Sequence, residues 1–232
     1  MQFIIGGLKK TSLLDYPDKI SAIIFTQGCN FNCGYCHNPE LLKLSSKNDS
    51  YNTDSFFEFL ASRKNKLDGV VITGGEPTLQ PDLKLFIQKI KELGFLVKLD
   101  TNGSNPDILQ TLISENLTDY IAMDIKAPLD KYSLITGVKI KPEKILSSIK
   151  LILNSDTDYE FRTTVIASRL SFEDFEQIGK LINGAERYYL QKFEANTKIN
   201  DECLRNEKSY KEEEFKRIIS LLQRYVKIVE LR

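Results

Sequence analysis

Short runs of β-branched and aromatic residues alternate with longer amphipathic stretches almost to the end of the chain. The short runs predict strands at Ile20 to Thr26, Gly69 to Thr73, Phe95 to Asp100, Tyr120 to Ile125, Tyr159 to Ile166 and Arg187 to Phe193. Apolar residues at helical spacing predict helices at Asp54 to Lys64, Asp82 to Leu93, Pro106 to Glu115, Pro142 to Asn154, Phe172 to Ile182 and Lys211 to Val226. Pro106 and Pro142 suit a first helical turn, and Gly94 suits a helix end. Six βα units in a row imply parallel strands joined by right-handed crossovers. An open or closed parallel barrel and a doubly wound sheet both fit this order, and in either the ligand site gathers where strands end and βα loops begin.

The unusual residues fall at those places. Cys29, Cys33 and Cys36 follow the first strand, Thr73-Gly74-Gly75-Glu76-Pro77 the second and Asp100-Thr101-Asn102-Gly103 the third. Asp124-Ile125-Lys126 ends the fourth, Arg162 to Val165 lies in the fifth, and Gln191 is near the end of the sixth. Lys plus Arg equals Asp plus Glu at 32 each, so net charge gives no reason to expect nucleic acid. The N-terminal ten residues lack a basic leader region, and no apolar run reaches membrane-spanning length, which predicts a cytoplasmic protein with no membrane partner. With no linker-like tract or repeat, the expected division is an N-terminal arm, 1–19, and one domain, 20–232.

Four cysteines in 232 residues are too few for a disulfide scaffold. Three of them within eight residues can hold an iron-sulfur cube by three of its four irons, leaving one iron open. Cys203 lies far off with no partner at metal-binding spacing. Zinc held by the three cysteines and His37 is the rival, although adjacent Cys36 and His37 reach one tetrahedral ion with difficulty. His37, the only histidine, is expected to pack beside the loop with no catalytic role. Gly74 and Gly75 allow either close approach of backbone to a ligand or a tight strand-to-helix turn. Asp100, Asp124 and Lys126 suit either one shared ligand cavity or solvated strand-end ion pairs. Phe56, Phe57, Leu60, Ile218, Ile219, Leu221 and Leu222 read as core, and Lys211-Glu212-Glu213-Glu214 as a solvated helix start.

The Cys-x3-Cys-x2-Cys spacing, followed one βα unit later by Gly74-Gly75-Glu76-Pro77, resembles the radical S-adenosylmethionine superfamily. The resemblance implies an α/β fold, a single-domain partial (βα)6 TIM-like barrel with parallel strands. It implies a 4Fe-4S cluster on Cys29, Cys33 and Cys36, with S-adenosylmethionine chelating the open iron. The Gly74-Gly75-Glu76 loop then receives the methionine amino group. Asp100, Thr101, Asp124 and Lys126 lie against its carboxylate and ribose, with a monovalent cation. Asn38 and Gln191 are further contacts, and Tyr35 lies against the adenine. The segments Gly6 to Pro17, Phe25 to Phe31 and Cys36-His37-Asn38-Pro39-Glu40-Leu41 look like the activating proteins of anaerobic ribonucleoside-triphosphate reductase. That resemblance implies reductive cleavage of S-adenosylmethionine to a 5′-deoxyadenosyl radical, which takes hydrogen from a glycine of a partner glycyl-radical enzyme. A flavodoxin- or ferredoxin-type reductant would supply the electron. A small-molecule enzyme such as 7-carboxy-7-deazaguanine synthase, and a non-catalytic zinc or electron-transfer module, are the alternatives.

Overall fold

The computed structural model describes residues 1–44, 51–194 and 199–232. Their contacts fall into two compact units, one of Met1–Asn30, Glu40–Thr101 and Asp107–Ile121, the other of Phe31–Pro39, Asn102–Pro106 and Ala122–Arg232.

In the first unit β1 (Ile5–Ser12), β2 (Ser21–Thr26), β3 (Gly69–Gly74) and β4 (Leu96–Thr101) follow one another across the sheet in chain order. β1 runs antiparallel to β2, with Leu8 opposite Ile24. β2, β3 and β4 are parallel, with Ile23 beside Val71 and Val71 beside Lys98. Val70, Val71 and Ile72 are all buried, as expected of a parallel strand covered on both faces. Helices α1 (Thr53–Ala61) and α2 (Leu83–Glu92) pack here, with most of α3 (Pro106–Ser114). Leu83, Phe86, Ile87 and Ile90 form the buried stripe of α2, and Phe86 stacks on Phe56 and Phe3.

In the second unit β5 (Tyr120–Asp124), which the division crosses, is followed in order by β6 (Asp158–Val165), β7 (Arg187–Lys192) and β8 (Ile228–Leu231). β6, β7 and β8 pair in parallel. The helices are α4 (Tyr132–Thr136), α5 (Pro142–Leu153), α6 (Phe172–Leu181) and α7 (Glu212–Leu222). Ser171 and Asp174 close a capping box at the start of α6, and three glutamates occupy the first turn of α7.

All six predicted strands and all six predicted helices are present, with ends displaced by up to four residues at α7 and three at α1. β1, β8 and α4 were outside the expected pattern. β1 lies inside the expected arm; its exposed Lys9, Lys10 and Thr11 give it little apolar alternation. β8 is four residues with only Val229 buried, and α4 is five residues ended by Gly137 at φ 69°. Neither is long enough to show a period.

Candidate functional site

The expected site residues divide between the two units, and each group is built differently. In the first unit the cysteine loop leaves β2 through Gln27, Gly28 and Cys29. The Gly28 N–H donates to the Leu41 carbonyl (2.8 Å) and the Cys29 N–H to the Leu42 carbonyl (3.1 Å). The loop after β3 lies directly against this exit. The Gly75 N–H donates to the Thr26 carbonyl (2.9 Å), and the Glu76 N–H to the Gly28 carbonyl (2.8 Å). Gly74 sits at φ 115°, and a Cβ there would stand 2.3 Å from the Thr26 nitrogen. A Cβ at Gly75 would stand 2.2 Å from the Gly28 oxygen. Both glycines are therefore required by the chain's own close approach, whatever else the loop receives.

Glu76 is 1% exposed, and its Oε1 accepts from the Thr78 N–H (3.1 Å), the Thr78 hydroxyl (2.6 Å) and the Thr101 hydroxyl (2.7 Å). Glu76 and Thr101 thus tie the end of β4 to the glycine loop. Asp100 pairs with Lys98 at 2.7 Å, two residues back on the same face of β4. The lysine that pairs with Asp100 within this unit is Lys98, whose side chain is 3% exposed. A cavity of about 850 Å3 opens beside Cys29, lined among others by Phe3, Gln27, Gly28, Leu44 and Leu79.

In the second unit Cys33 is buried and Cys36 half-buried, and the Cys36 N–H donates to the Cys33 carbonyl (3.1 Å). Burial pushes the Cys33 thiol up, against the opposing pull of Lys126. Asp124 is held from two sides, by Arg162 Nε at Oδ1 and Lys126 Nζ at Oδ2, each at 2.9 Å. Burial alone would raise its carboxyl, but Arg162 and Lys126 together hold it well below the usual carboxylate range. Lys126, half-buried and facing Asp124, is correspondingly raised, and its Nζ stands 5.6 Å from the centre of the Tyr35 ring.

The charge chain continues along β6. Glu160, its side chain 1% exposed, accepts from Arg232 (3.2 Å to each oxygen) and faces Arg162 at 3.9 Å. Arg232 also lies over the Tyr189 ring, 3.3 Å from its centre. Gln191 sits opposite Thr164 and shares the face of β7 that carries Tyr189, which lies opposite Arg162. Asn38 is half-buried just before Pro39. His37 packs at 5.7 Å from Phe193, and desolvation lowers its imidazole against the upward pull of Glu194.

The sequence reading named Asp124 and Lys126 but gave no role to Arg162, Glu160, Arg232 or Lys98. For Lys98, Glu160 and Arg162 the signal was charge at period-two positions inside a strand, while Arg232 lies just past β8.

Among the described residues no three His, Cys, Asp or Glu side chains gather closely enough to cage a metal ion. The donor chemistry nonetheless fits an iron-sulfur cube, with three thiols in one short loop. The buried Tyr35 hydroxyl beside Cys33 has no hydrogen-bond partner of good geometry, so polar capacity remains next to that thiol.

Residues 23–182 match the family model described as the Radical SAM superfamily. A protein of Methanocaldococcus jannaschii, provisionally named a glycyl-radical enzyme activating enzyme, is 36% identical over 240 positions, 100% of this chain and 97% of its own. The pyruvate formate-lyase-activating enzyme of Staphylococcus aureus is 31% identical, covering 74% of this chain and 72% of its own. The structure of Streptococcus suis SuiB bound to S-adenosylmethionine matches with a TM-score of 0.64 at 15% identity. It covers 88% of this chain and 48% of that one, a likeness of fold. The chain therefore belongs to the radical S-adenosylmethionine superfamily. Within that superfamily its place is the glycyl-radical activating branch, and it works with a 4Fe-4S cluster and S-adenosylmethionine. No helix among the described residues is long and apolar enough to cross a membrane.

Proposed function

We propose that this protein is a cytoplasmic activase that takes a hydrogen atom from the α-carbon of a glycine in a partner glycyl-radical enzyme, the anaerobic ribonucleoside-triphosphate reductase. The observation that carries this reading is the 36% identity along the whole chain to a relative named for activating glycyl-radical enzymes. The bound cluster and S-adenosylmethionine supply the reductive cleavage that yields a 5′-deoxyadenosyl radical, with the electron coming from a flavodoxin- or ferredoxin-type protein.

The chain's own share is binding, orientation and exclusion of water. Cys29, Cys33 and Cys36 would hold three irons of the cluster and leave the fourth to the cosubstrate. The loop Gly74-Gly75-Glu76 holds the chain leaving β2 in place, the Gly75 N–H donating to the Thr26 carbonyl and the Glu76 N–H to the Gly28 carbonyl. Lys126, charged and raised by Asp124, offers a cation to a carboxylate, while Asp124 holds Lys126 and Arg162 and Asp100 holds Lys98. Thr101, Asn38, Gln191 and Tyr35 complete the cosubstrate contacts in this reading, and a monovalent cation suits the Asp100 and Thr101 oxygens.

The test is to incubate anaerobically reconstituted, reduced protein with S-adenosylmethionine and the anaerobic reductase, then record the electron paramagnetic resonance spectrum. A glycyl radical doublet that needs all three components is expected. Cleavage of S-adenosylmethionine without a radical on the reductase would move the reading to a different partner or to a small-molecule substrate.

A further inference from the structure

The second unit grips its part of the cysteine loop at two places. The Asn32 N–H donates to the carbonyl of Thr136, the last residue of α4, at 2.8 Å. The second grip comes from much later in the chain. Asn200 Nδ2 donates to Asn32 Oδ1 at 2.9 Å and to the Cys33 carbonyl at 3.3 Å. The Asp201 N–H donates to the Gly34 carbonyl at 2.7 Å. Contact is so close that a Cβ on Gly34 would stand 2.9 Å from the Asp201 Cβ.

The gripping segment is itself anchored. Ile199 and Leu204 are buried on either side, and the Asp201 carboxylate accepts the Cys203 N–H (3.0 Å) to cap the short turn Glu202–Asn206. Three consecutive residues, Asn32, Cys33 and Gly34, are thus bonded to a strap of fixed shape.

We propose that Asn200 is a positioning residue for the iron-sulfur cluster: the strap Ile199–Asn206 fixes the peptide of Cys33, and with it the direction in which that thiolate meets iron. Groups that orient a metal ligand through hydrogen bonds affect affinity and electronic properties without touching the metal. Asn200 is the member of the strap whose grip is made by a side chain, so it can be altered while the backbone bond of Asp201 stays. Its amide faces two acceptor oxygens. Aspartate would set a carboxylate against both, whereas glutamine keeps the donor on a longer stem.

The experiment compares N200A, N200D and N200Q with the natural protein after anaerobic reconstitution. Three readouts are taken: the melting temperature of the cluster-free protein, the g-values of the reduced cluster, and the rate of iron release to a chelator. N200A should melt within about 4 °C of the natural protein, since the two hydrogen bonds of one exposed amide are lost. Its g-values should shift and its iron should leave about tenfold faster, the low end for partners that orient metal ligands. N200D should release iron faster still, and N200Q should recover most of the natural behaviour. Natural g-values and iron release in N200A would overturn the proposal. So would a fall in melting temperature with unshifted g-values, the mark of a merely structural role. None of the three readouts involves the reductase, so failure to activate it would leave this result standing, and the reverse holds as well.

Discussion

The two units of the chain hold their candidate residues by opposite means. The first uses backbone: amides of Gly75 and Glu76 bonded to carbonyls of Thr26 and Gly28, with no space for a side chain at Gly74 or Gly75. The second uses charge: Lys126, Asp124, Arg162, Glu160 and Arg232 in an alternating series of ion pairs. The glycine loop of the first should fail on any added carbon. The second should tolerate changes of size and fail when one charge loses its partner.

The largest effect is expected from Gly75→Ala. Its Cβ would fall 2.2 Å from the Gly28 oxygen and 3.1 Å from the Leu41 oxygen, so two backbone segments have to separate. Neither is a flexible side chain end that can swing aside. A loss of about 3 kcal/mol in denaturant unfolding is expected, with iron binding impaired because Cys29 follows Gly28. Natural stability in this variant would break the contrast between the units at its first term.

Asp124→Asn should come next. It leaves Arg162 and Lys126 facing an amide, and removing one partner from a buried ion group costs on the order of 3 kcal/mol. The loss should be smaller here because the Asp124 side chain retains 26% exposure. Iron content should stay as in the natural protein while S-adenosylmethionine binds more weakly, as equilibrium titration would show. Unchanged affinity would remove Asp124 from the cosubstrate site and leave it a structural role.

Acid titration sharpens the same point with a smaller effect. The folded-state pKa of Asp124 is depressed by Arg162 and Lys126. Its stabilisation is therefore fully present above the ordinary carboxylate value of about 3.9 and is lost as pH falls from there toward the folded value. The stability difference between the natural protein and Asp124→Asn should be constant from pH 7 to about pH 5 and narrow below about pH 4. Narrowing already between pH 7 and 5 would show that the two cations do not hold the carboxylate.

This difference in construction also explains what could be read from the sequence. Cys29, Cys33, Cys36 and the pair Gly74-Gly75 were visible because spacing and glycine report backbone demands directly. The reason for the glycines was not visible, since Thr26 and Gly28 lie across a strand pairing that sequence order alone does not supply. Asp124 and Lys126 stood out at a strand end. Their partners Arg162 and Glu160 lie inside β6, where a charge is informative only once the facing residue is known. β1 and β8 escaped because one is rich in exposed polar residues and the other is four residues long.

The smallest effect is expected at Cys203, and it tests the count of iron ligands. Its thiol is exposed, while its N–H is held by the Asp201 carboxylate, a bond that alanine keeps. Cys203→Ala therefore leaves the strap and its grip on Asn32, Cys33 and Gly34 intact. Iron content should remain at about four per chain, with melting temperature and cluster spectrum unchanged. Loss of iron in this variant, against full retention in N200Q, would mean that a fourth thiolate closes the cluster. The open iron on which the cosubstrate depends would then be absent, and the ion pairs of the second unit would need another ligand to explain them.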